Sequence, residues 1–236
     1  DLIVFADGIK EENDKQDYLT EYEDKSISLS LPNLKLPPAI NDTTHTKSEC
    51  LKSKGSPIIL IYTGMFYHEF REPKPLINIL SNANFDYELH LYGSIDRSLF
   101  SDYPVVYKHC VFHGRLDKKT CDRACANADI LLDVQNDIRN QIPSKLLTYM
   151  SLGKPIVSFY SPGAEIGKEY LNEYPLALTI RKDKTTDHTT SDLFNSFCTT
   201  KHEIIDRSIL NEVLAPYLHE NIVKQLEHAI AQHRSL

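Results

Sequence analysis

Gln141-Ile-Pro-Ser-Lys-Leu-Leu-Thr-Tyr-Met-Ser-Leu-Gly-Lys-Pro-Ile-Val157 is the stretch that decides the fold of this chain. Leu146, Leu147 and Met150 recur three and four residues apart, so they share one face of a helix. Gly153 stands where a left-handed C-cap would end that helix. The stretch therefore predicts a loop, a short helix, a glycine stop and a buried strand.

The start of this helix is a candidate anion site. Pro143 suits a first helical position, because its missing N–H would have no partner there. Ser144 and Lys145 then fall in the first turn, beside free N–H groups and the positive end of the helix dipole. A plain strand–helix–strand unit with a capped helix is the simpler alternative, with Ser144 and Lys145 as ordinary first-turn residues.

Strand-like and helix-like segments alternate along the rest of the chain, which predicts an α/β fold with a doubly wound parallel sheet. Residues 57–62 form a nearly continuous apolar run, as expected for a parallel strand buried on both faces. The predicted strands are residues 1–6, 26–31, 57–62, 87–92, 105–112, 129–133, 155–159 and 176–180. The predicted helices are residues 73–80, 117–127, 201–218 and 219–231, and a polar stretch precedes the last two.

The chain divides unevenly. Residues 37–55 are polar and have the composition of a linker or loop, between a short unit at 1–36 and a larger one at 56–236. Because the sequence starts with Asp1 rather than Met, we expect a preceding segment in the parent protein, where a signal could have been removed.

Composition narrows the function classes. The 236 residues carry a net charge of −7, which argues against a broad nucleic-acid surface. No apolar run approaches the roughly 20 residues that span a bilayer. The five cysteines, Cys121 and Cys125 among them, lack the spacing of a zinc site or a disulfide framework, so we predict reduced packing residues and a cytoplasmic location.

The opening stretch resembles the P-S-K-L-x-E-Y-M-x-x-G-K-P-I-V signature of retaining GT-B glycosyltransferases, in particular the GT4-like group that builds bacterial surface polysaccharides. The resemblance extends in order over most of the chain, from the strand at 58–64 to the A-D-I-L-L segment at 128–132. It implies a Rossmann-like, donor-binding C-terminal domain at 56–236. It also implies that residues 1–36 are the last strand–helix–strand of the acceptor-binding domain, whose other parts catalysis requires. The fragment alone is therefore expected to be inactive.

The resemblance implies cationic contacts to the diphosphate of a nucleotide sugar. Arg71 lies where related enzymes carry a cation, and Arg suits bidentate phosphate contact. Lys145 and Ser144 would meet phosphate or ribose. A solvated surface charge is the simpler alternative for Arg71.

Glycines mark the expected binding edge of the sheet, because ligands of such sheets bind at the carboxyl ends of the strands. Gly64 would let a phosphate approach the backbone, and Gly93 ends the next strand. Gly114 and Arg115 would neighbour the nucleobase. Simple turn glycines are the alternative.

The chain departs from the family at three positions. The two glutamates of the E-x7-E pattern are replaced by Asn140 and Thr148, which can hydrogen-bond sugar hydroxyls but carry no charge. Met65 stands where the family often has an Arg after the glycine, so Lys145 or Arg139 would have to substitute. Catalytic residues are left unassigned.

The leading interpretation is a retaining glycosyltransferase domain that binds a nucleotide sugar, with a glycan or lipid-linked acceptor, without a metal or other cofactor and without nucleic acid. Peripheral membrane association of the full-length protein is compatible with such an acceptor. The alternative is a non-catalytic GT-B-like partner protein that binds a nucleotide or glycan. A nicotinamide-binding domain is a third interpretation, but no G-x-G-x-x-G follows the first strand.

Overall fold

Six parallel strands form the main sheet of the described chain. The computed structural model describes residues 3–6, 26–29, 55–69, 71–138, 144–201 and 204–234. The strands are β1 (Ile3–Ala6), β2 (Ser26–Leu29), β3 (Ile58–Thr63), β4 (Tyr87–Tyr92), β5 (Cys110–Gly114), β6 (Ile130–Val134), β7 (Ile156–Tyr160) and β8 (Ala177–Arg181). The main sheet has the order β5-β4-β3-β6-β7-β8, while β1 and β2 pair in parallel in a sheet of their own.

The described helices connect these strands. They are α1 (Lys74–Ser81), α2 (Ser98–Ser101), α3 (Pro104–Tyr107), α4 (Lys118–Asn127), α5 (Ser144–Ser151), α6 (Ile166–Leu171), α7 (His188–Thr199), α8 (Arg207–Leu214) and α9 (His219–Arg234). Single 3-10 turns lie at Lys182–Lys184 and Ala215–Tyr217. The predicted doubly wound parallel sheet is confirmed. The division into units at 1–36, 37–55 and 56–236 stays a prediction.

Two hydrophobic clusters cover the two faces of the sheet. Leu60 of β3 packs in the cluster that contains α1 and α7, and its neighbour Ile61 packs in the cluster that contains α5. Successive strand side chains point to opposite faces, so a strand covered on both sides must be apolar throughout. Leu146 and Met150 of α5 are both fully buried in the second cluster, as their spacing predicted.

The strand order places a topological switch point between β3 and β6. From β3 the chain proceeds outward to β4 and β5, then crosses back to β6 and continues to β7 and β8 on the other side. The loops that follow β3 and β6 therefore diverge, which opens a crevice at their carboxyl ends. Helix α5, which follows β6, begins beside this crevice.

The ends of two helices show capping geometry. Asp117 caps α4, and its carboxylate accepts a hydrogen bond from the Thr120 N–H at 3.0 Å. Gly153 adopts φ +68°, the left-handed conformation expected after α5. The four described cysteines are free thiols, and within the described part of the chain no helix is long and apolar enough to cross a membrane.

The predicted strand at 105–112 is wrong in its first half. Pro104 opens the one-turn helix α3, where its fixed φ is favourable, and Val106 is the residue of that turn that enters the core. The strand begins only at Cys110, because Leu89 of β4 donates its N–H to the His109 carbonyl at 2.8 Å and starts the pairing there.

The polar stretch after β8 contains the helix α7, which the sequence did not predict. Its buried side chains, such as Phe194 and Cys198, recur four residues apart among polar neighbours. The next helix is also shorter than the predicted 201–218. It begins at Arg207 because the Asp206 carboxylate caps it, accepting the Ser208 N–H at 2.8 Å.

Candidate functional site

Three glycines end the neighbouring strands β3, β4 and β5. Gly64, Gly93 and Gly114 have φ values of +148°, +140° and +70°, which side chains rarely adopt. The Gly64 N–H donates to the Tyr92 carbonyl at 2.7 Å, and the Gly93 N–H donates to the Gly114 carbonyl at 2.8 Å. A Cβ on Gly93 would lie 1.8 Å from the Gly64 carbonyl oxygen. The edge therefore presents backbone without side chains.

Helix α5 delivers a lysine to this edge. Because Leu146 and Met150 bury one face of the helix, Lys145 and Thr148 face the crevice. The Lys145 ammonium donates to the Thr63 carbonyl at 2.8 Å. A Cβ on Gly64 would lie 2.9 Å from Lys145 Nζ, so the cation sits directly against the glycine.

A buried tyrosine fixes α5 against β3. The Tyr149 hydroxyl accepts the Thr63 N–H at 3.1 Å and lies 2.7 Å from Thr63 Oγ1. Burial raises the pKa of Tyr149 well above its usual value, so the group stays a neutral hydroxyl. This contact joins the last residue of β3 to the helix that supplies Lys145.

Arg71 approaches the same place from the loop after β3. Its backbone pairs with Tyr67, through hydrogen bonds of 2.9 and 3.1 Å. Its side chain donates from Nε to Asn136 Oδ1 at 2.5 Å, so the guanidinium is tied to the segment that follows β6. The two strands on either side of the switch point are thereby bridged.

These groups line one open cleft of about 440 Å³. Of the predicted site residues, Gly64, Arg71, Gly93, Arg115, Lys145 and Thr148 all line it, and Gly114 adjoins it through Arg115. Asn140 and the Ser144 side chain lie outside the described residues. The other lining residues are Thr63, Met65, Tyr67, Tyr92, Ser94, Leu116, Lys118, Cys121, Asp122, Cys125 and Tyr149.

The cleft holds like charges close together. The Lys145 side chain is solvent-accessible, yet desolvation by the surrounding protein lowers the pKa of its ammonium, and the charge of Arg71 lowers it further. Within the described residues, no group of three or more His, Cys, Asp or Glu side chains could hold a metal ion. The arrangement can therefore attract an anion through Arg71, Lys145 and backbone N–H groups.

Sequence reasoning missed three residues that shape the site: Tyr92, Asn136 and Tyr149. Tyr92 is the last residue of a predicted strand, and that position was an available signal. Asn136 lies two residues after β6 and carried no such signal, because its contact with Arg71 spans 65 residues of sequence. The Tyr92 ring stacks on His113 with centroids 4.1 Å apart, which fixes this wall of the cleft.

No protein-family model matches this sequence, and no curated protein matches it significantly. Solved structures do share its fold. The lipopolysaccharide outer core galactosyltransferase WaaB, in its apo form, superposes with a TM-score of 0.63 at 15% identity, over 89% of this chain and 56% of that one. HepE of Anabaena, in complex with UDP and glucose, superposes with a TM-score of 0.62 at 10% identity, over 89% of this chain and 57% of HepE.

The N-terminal domain of trehalose-6-phosphate phosphatase from Candida albicans is also similar, with a TM-score of 0.60 at 13% identity, over 89% of this chain and 50% of that one. WaaB and HepE are GT-B glycosyltransferases, so the fold expected from the sequence resemblance is confirmed. The chain spans little more than half the length of these two glycosyltransferases.

Proposed function

We propose that this chain is the donor-binding part of a GT-B glycosyltransferase, and that its cleft holds a nucleoside diphosphate sugar. The observation that carries the proposal is the convergence of Arg71, Lys145 and the Gly64 backbone at the switch point of the sheet. A diphosphate is the leaving group of sugar transfer, and fixed cations and N–H donors stabilise the charge that develops on it.

The diphosphate would lie beside Gly64, between Arg71 and Lys145, near the first turn of the eight-residue helix α5. The ribose would face Thr148, whose hydroxyl can bond its hydroxyls. The base would lie toward Gly93 and Arg115, with Tyr92 as one wall. HepE, which has the same fold, was solved with UDP and glucose, which favours a uridine nucleotide as the first donor to test.

The reaction we propose is retaining transfer to a glycan or lipid-linked acceptor of the kind used in surface-polysaccharide assembly, without a resident metal or cofactor, and in the cytoplasm. WaaB, named as a lipopolysaccharide galactosyltransferase, is compatible with that acceptor class. The acceptor would be held by the part of the protein that this chain, at just over half the length of WaaB, does not cover.

A non-catalytic nucleotide- or glycan-binding partner is the second candidate. Thr148 and Met65 both line the cleft at positions where the resemblance implies a glutamate and an arginine. The Candida albicans neighbour is a domain of a phosphatase, so the fold alone does not require sugar transfer. Nucleotide binding without turnover by the full-length parent protein would favour this candidate.

The test measures nucleotide affinity of Arg71→Ala and Lys145→Ala by titration calorimetry. Each variant should bind the nucleotide sugar about 1–3 kcal/mol more weakly, because each removes a charge-assisted hydrogen bond. The control is Lys184→Ala. Lys184 does not line the cleft, and its ammonium pairs with the Asp187 carboxylate at 3.3 Å. If both cleft variants bind as tightly as the control, the diphosphate does not lie between these cations and the proposal fails.

A further inference from the structure

A second cavity, of about 450 Å³, lies at the same carboxyl edge of the sheet as the cleft. Asp137 follows β6, Ser161 follows β7 and Lys182 follows β8, so three neighbouring strands each deliver one side chain to it. The other wall comes from the loop after β3, the first turns of α1 and the segment after Lys182. It consists of Glu69, Glu72, Lys74, Pro75, Asn78, Asp183, Thr185 and Thr186.

The second cavity adjoins the cleft through the segments that hold Arg71. Arg71 lines the cleft, whereas Glu69 and Glu72, on either side of it in the loop, line the second cavity. The Arg71 side chain is bonded to Asn136, whose neighbour Asp137 also lines the second cavity. A ligand in the second cavity would therefore lie close to the proposed diphosphate.

The floor of the second cavity is held in place by its own hydrogen bonds. Lys182, whose side chain is 10% exposed, donates from Nζ to the Gln135 carbonyl and to Asp137 Oδ1, each at 2.5 Å. The Ser161 hydroxyl donates to the same carboxylate oxygen. Thr185 is buried and donates from Oγ1 to the Lys182 carbonyl at 2.9 Å. Side chains that are already fixed lose little entropy when a ligand binds to them.

These bonds leave hydrogen-bonding capacity of both kinds. Lys182 uses two of its three N–H groups, and Ser161 uses its one O–H. Among the described residues, the donors to Asp137 both reach Oδ1, so the lone pairs of Oδ2 are left over. Asn78 donates its amide to Thr185 Oγ1 at 3.4 Å, which leaves its carbonyl oxygen as an acceptor. The cavity therefore offers oxygen acceptors beside an N–H donor.

The composition of the lining decides the class of ligand. Pro75 is its one apolar member, so an apolar molecule would gain little there. Within the described residues, no group of three or more His, Cys, Asp or Glu side chains could hold a metal ion. Carboxylates outnumber ammonium groups, which disfavours a polyanion such as a nucleotide. The carboxylates belong to Glu69, Glu72, Asp137 and Asp183, and the ammonium groups to Lys74 and Lys182.

A neutral molecule with several hydroxyls fits this lining. Each hydroxyl can donate to a carboxylate or amide oxygen and can also accept from an ammonium group. Because the cavity volume lies within the range of about 300–1,000 Å³ that small-molecule sites occupy, it has room for a sugar ring.

We propose that the second cavity binds one sugar unit through its hydroxyls. Asp137, Glu72 and Asn78 would accept from them, and the remaining Lys182 N–H would donate to one. The inference rests on the proposed function for the choice of a sugar among polyhydroxylated molecules, and not for the position of the site. Two sources present the same hydroxyls: the glycosyl group of the donor and a unit of the acceptor glycan.

The experiment titrates the chain with methyl glucoside, methyl galactoside and methyl mannoside, and follows binding by protein NMR. These probes carry no phosphate, so the cations of the cleft have nothing to attract. We expect at least one of them to bind saturably. Asp137→Asn should weaken that binding about tenfold, because asparagine keeps one oxygen for Lys182 and Ser161 but presents an NH₂ donor in place of the second acceptor.

Asp192→Asn is the matched control, because Asp192 is exposed on α7 and lines neither cavity. It should bind the glycoside as the unmodified chain does. Glu72→Ala keeps the test available if Asp137→Asn fails to fold, since the contact of Glu72 with His68 is long, at 3.9 Å. It should also weaken the glycoside about tenfold, through the loss of one charged hydrogen bond.

Repeating the titration in the presence of UDP or UDP-glucose distinguishes the two sources. If UDP-glucose displaces the glycoside and UDP does not, the sugar unit is the glycosyl group of the donor. If both leave the glycoside bound, the unit belongs to the acceptor glycan. Either result supports the inference, whereas displacement by UDP itself would place the glycoside in the cleft and overturn it.

Two further results would overturn the inference: no saturable binding of any of the glycosides, or equal affinity in the cavity variants and in Asp192→Asn. Both leave the proposed function standing, because the nucleotide titrations of the unmodified chain test it separately. A chain that binds a glycoside in this cavity and no nucleotide contradicts the proposed function and supports the sugar site.

Discussion

The contact between the ends of β3 and β4 can be tested with one pair of glycine substitutions. Gly93→Ala would place a Cβ 1.8 Å from the Gly64 carbonyl oxygen and 2.8 Å from the Gly64 carbonyl carbon. Gly114→Ala is the matched control, because that residue also has a positive φ, yet nothing lies within 4 Å of its would-be Cβ. Both variants place a side chain at a positive φ, +140° and +70°, but only Gly93→Ala also meets a collision.

The expected magnitudes follow from these two components. A non-glycine residue held in an unfavourable backbone region destabilises a protein by about 1–3 kcal/mol. Overpacking that forces the backbone to shift adds about 1–3 kcal/mol. Gly114→Ala should therefore lower the free energy of unfolding by the first amount, and Gly93→Ala by roughly the sum. A difference of about 2 kcal/mol between the variants corresponds to roughly 4–8 °C in Tm for a chain of this size.

Urea unfolding followed by circular dichroism measures both free energies, and thermal shift with a nucleotide sugar measures the site. Gly93→Ala should lose ligand stabilisation as well as stability, because any relief of the collision displaces the Gly64 backbone. Equal destabilisation by the two substitutions would refute the close approach of the strand ends, and with it the geometry assigned to the phosphate-binding edge.

Two further variants probe α5. Tyr149→Phe removes the hydroxyl that accepts the Thr63 N–H, so it should cost about 1–3 kcal/mol in urea unfolding; a change within measurement error would show that water replaces the contact. Thr148→Glu restores the carboxylate of the family pattern in a residue that lines the cleft, so nucleotide affinity should be kept or increased with little change in Tm, since a carboxylate can accept bonds from both ribose hydroxyls. A lower Tm without a nucleotide response would instead mean that the position is filled and that the chain has diverged from donor binding.

Strand positions were predictable where one physical requirement dominated. Residues 58–62 must be apolar on both faces, and the glycines at the ends of β3, β4 and β5 stand where a positive φ is needed. Both requirements can be recognised from a few consecutive residues. The same is true of α5, whose buried face and Gly153 stop are separated by fewer than ten residues.

The sequence did not predict helix α7, because its buried face contains polar as well as apolar residues. In α7 two of the four buried residues, Ser191 and Asn195, are polar and would not be assigned to a core. Asn195 is accommodated because it accepts the Asn84 N–H at 3.0 Å and donates to the Asn82 carbonyl at 3.1 Å. Such pairing is visible only after the chain has folded, so hydrophobic periodicity underestimates the helix.

The sequence predicted which residues form the candidate site better than it predicted the hydrogen bonds that join them. The carboxyl edge of a parallel sheet gathers strand ends, so Gly64, Gly93 and Lys145 could be placed together from topology. The partners of those residues could not. The bond from Arg71 to Asn136 and the approach of Lys145 to Thr63 join segments 65 and 82 residues apart, and no local pattern encodes them.

The position after Gly64 shows how a cleft can keep its charge while its sequence changes. Met65 carries no charge, but Lys145 Nζ already lies beside Gly64 and Arg71 is fixed next to it. Lys145 and Arg71 both line the cleft, and together they supply two positive charges. A diphosphate esterified at both ends carries two negative charges. These two cations therefore match the charge of the proposed ligand, and an additional arginine at position 65 is not required for that match.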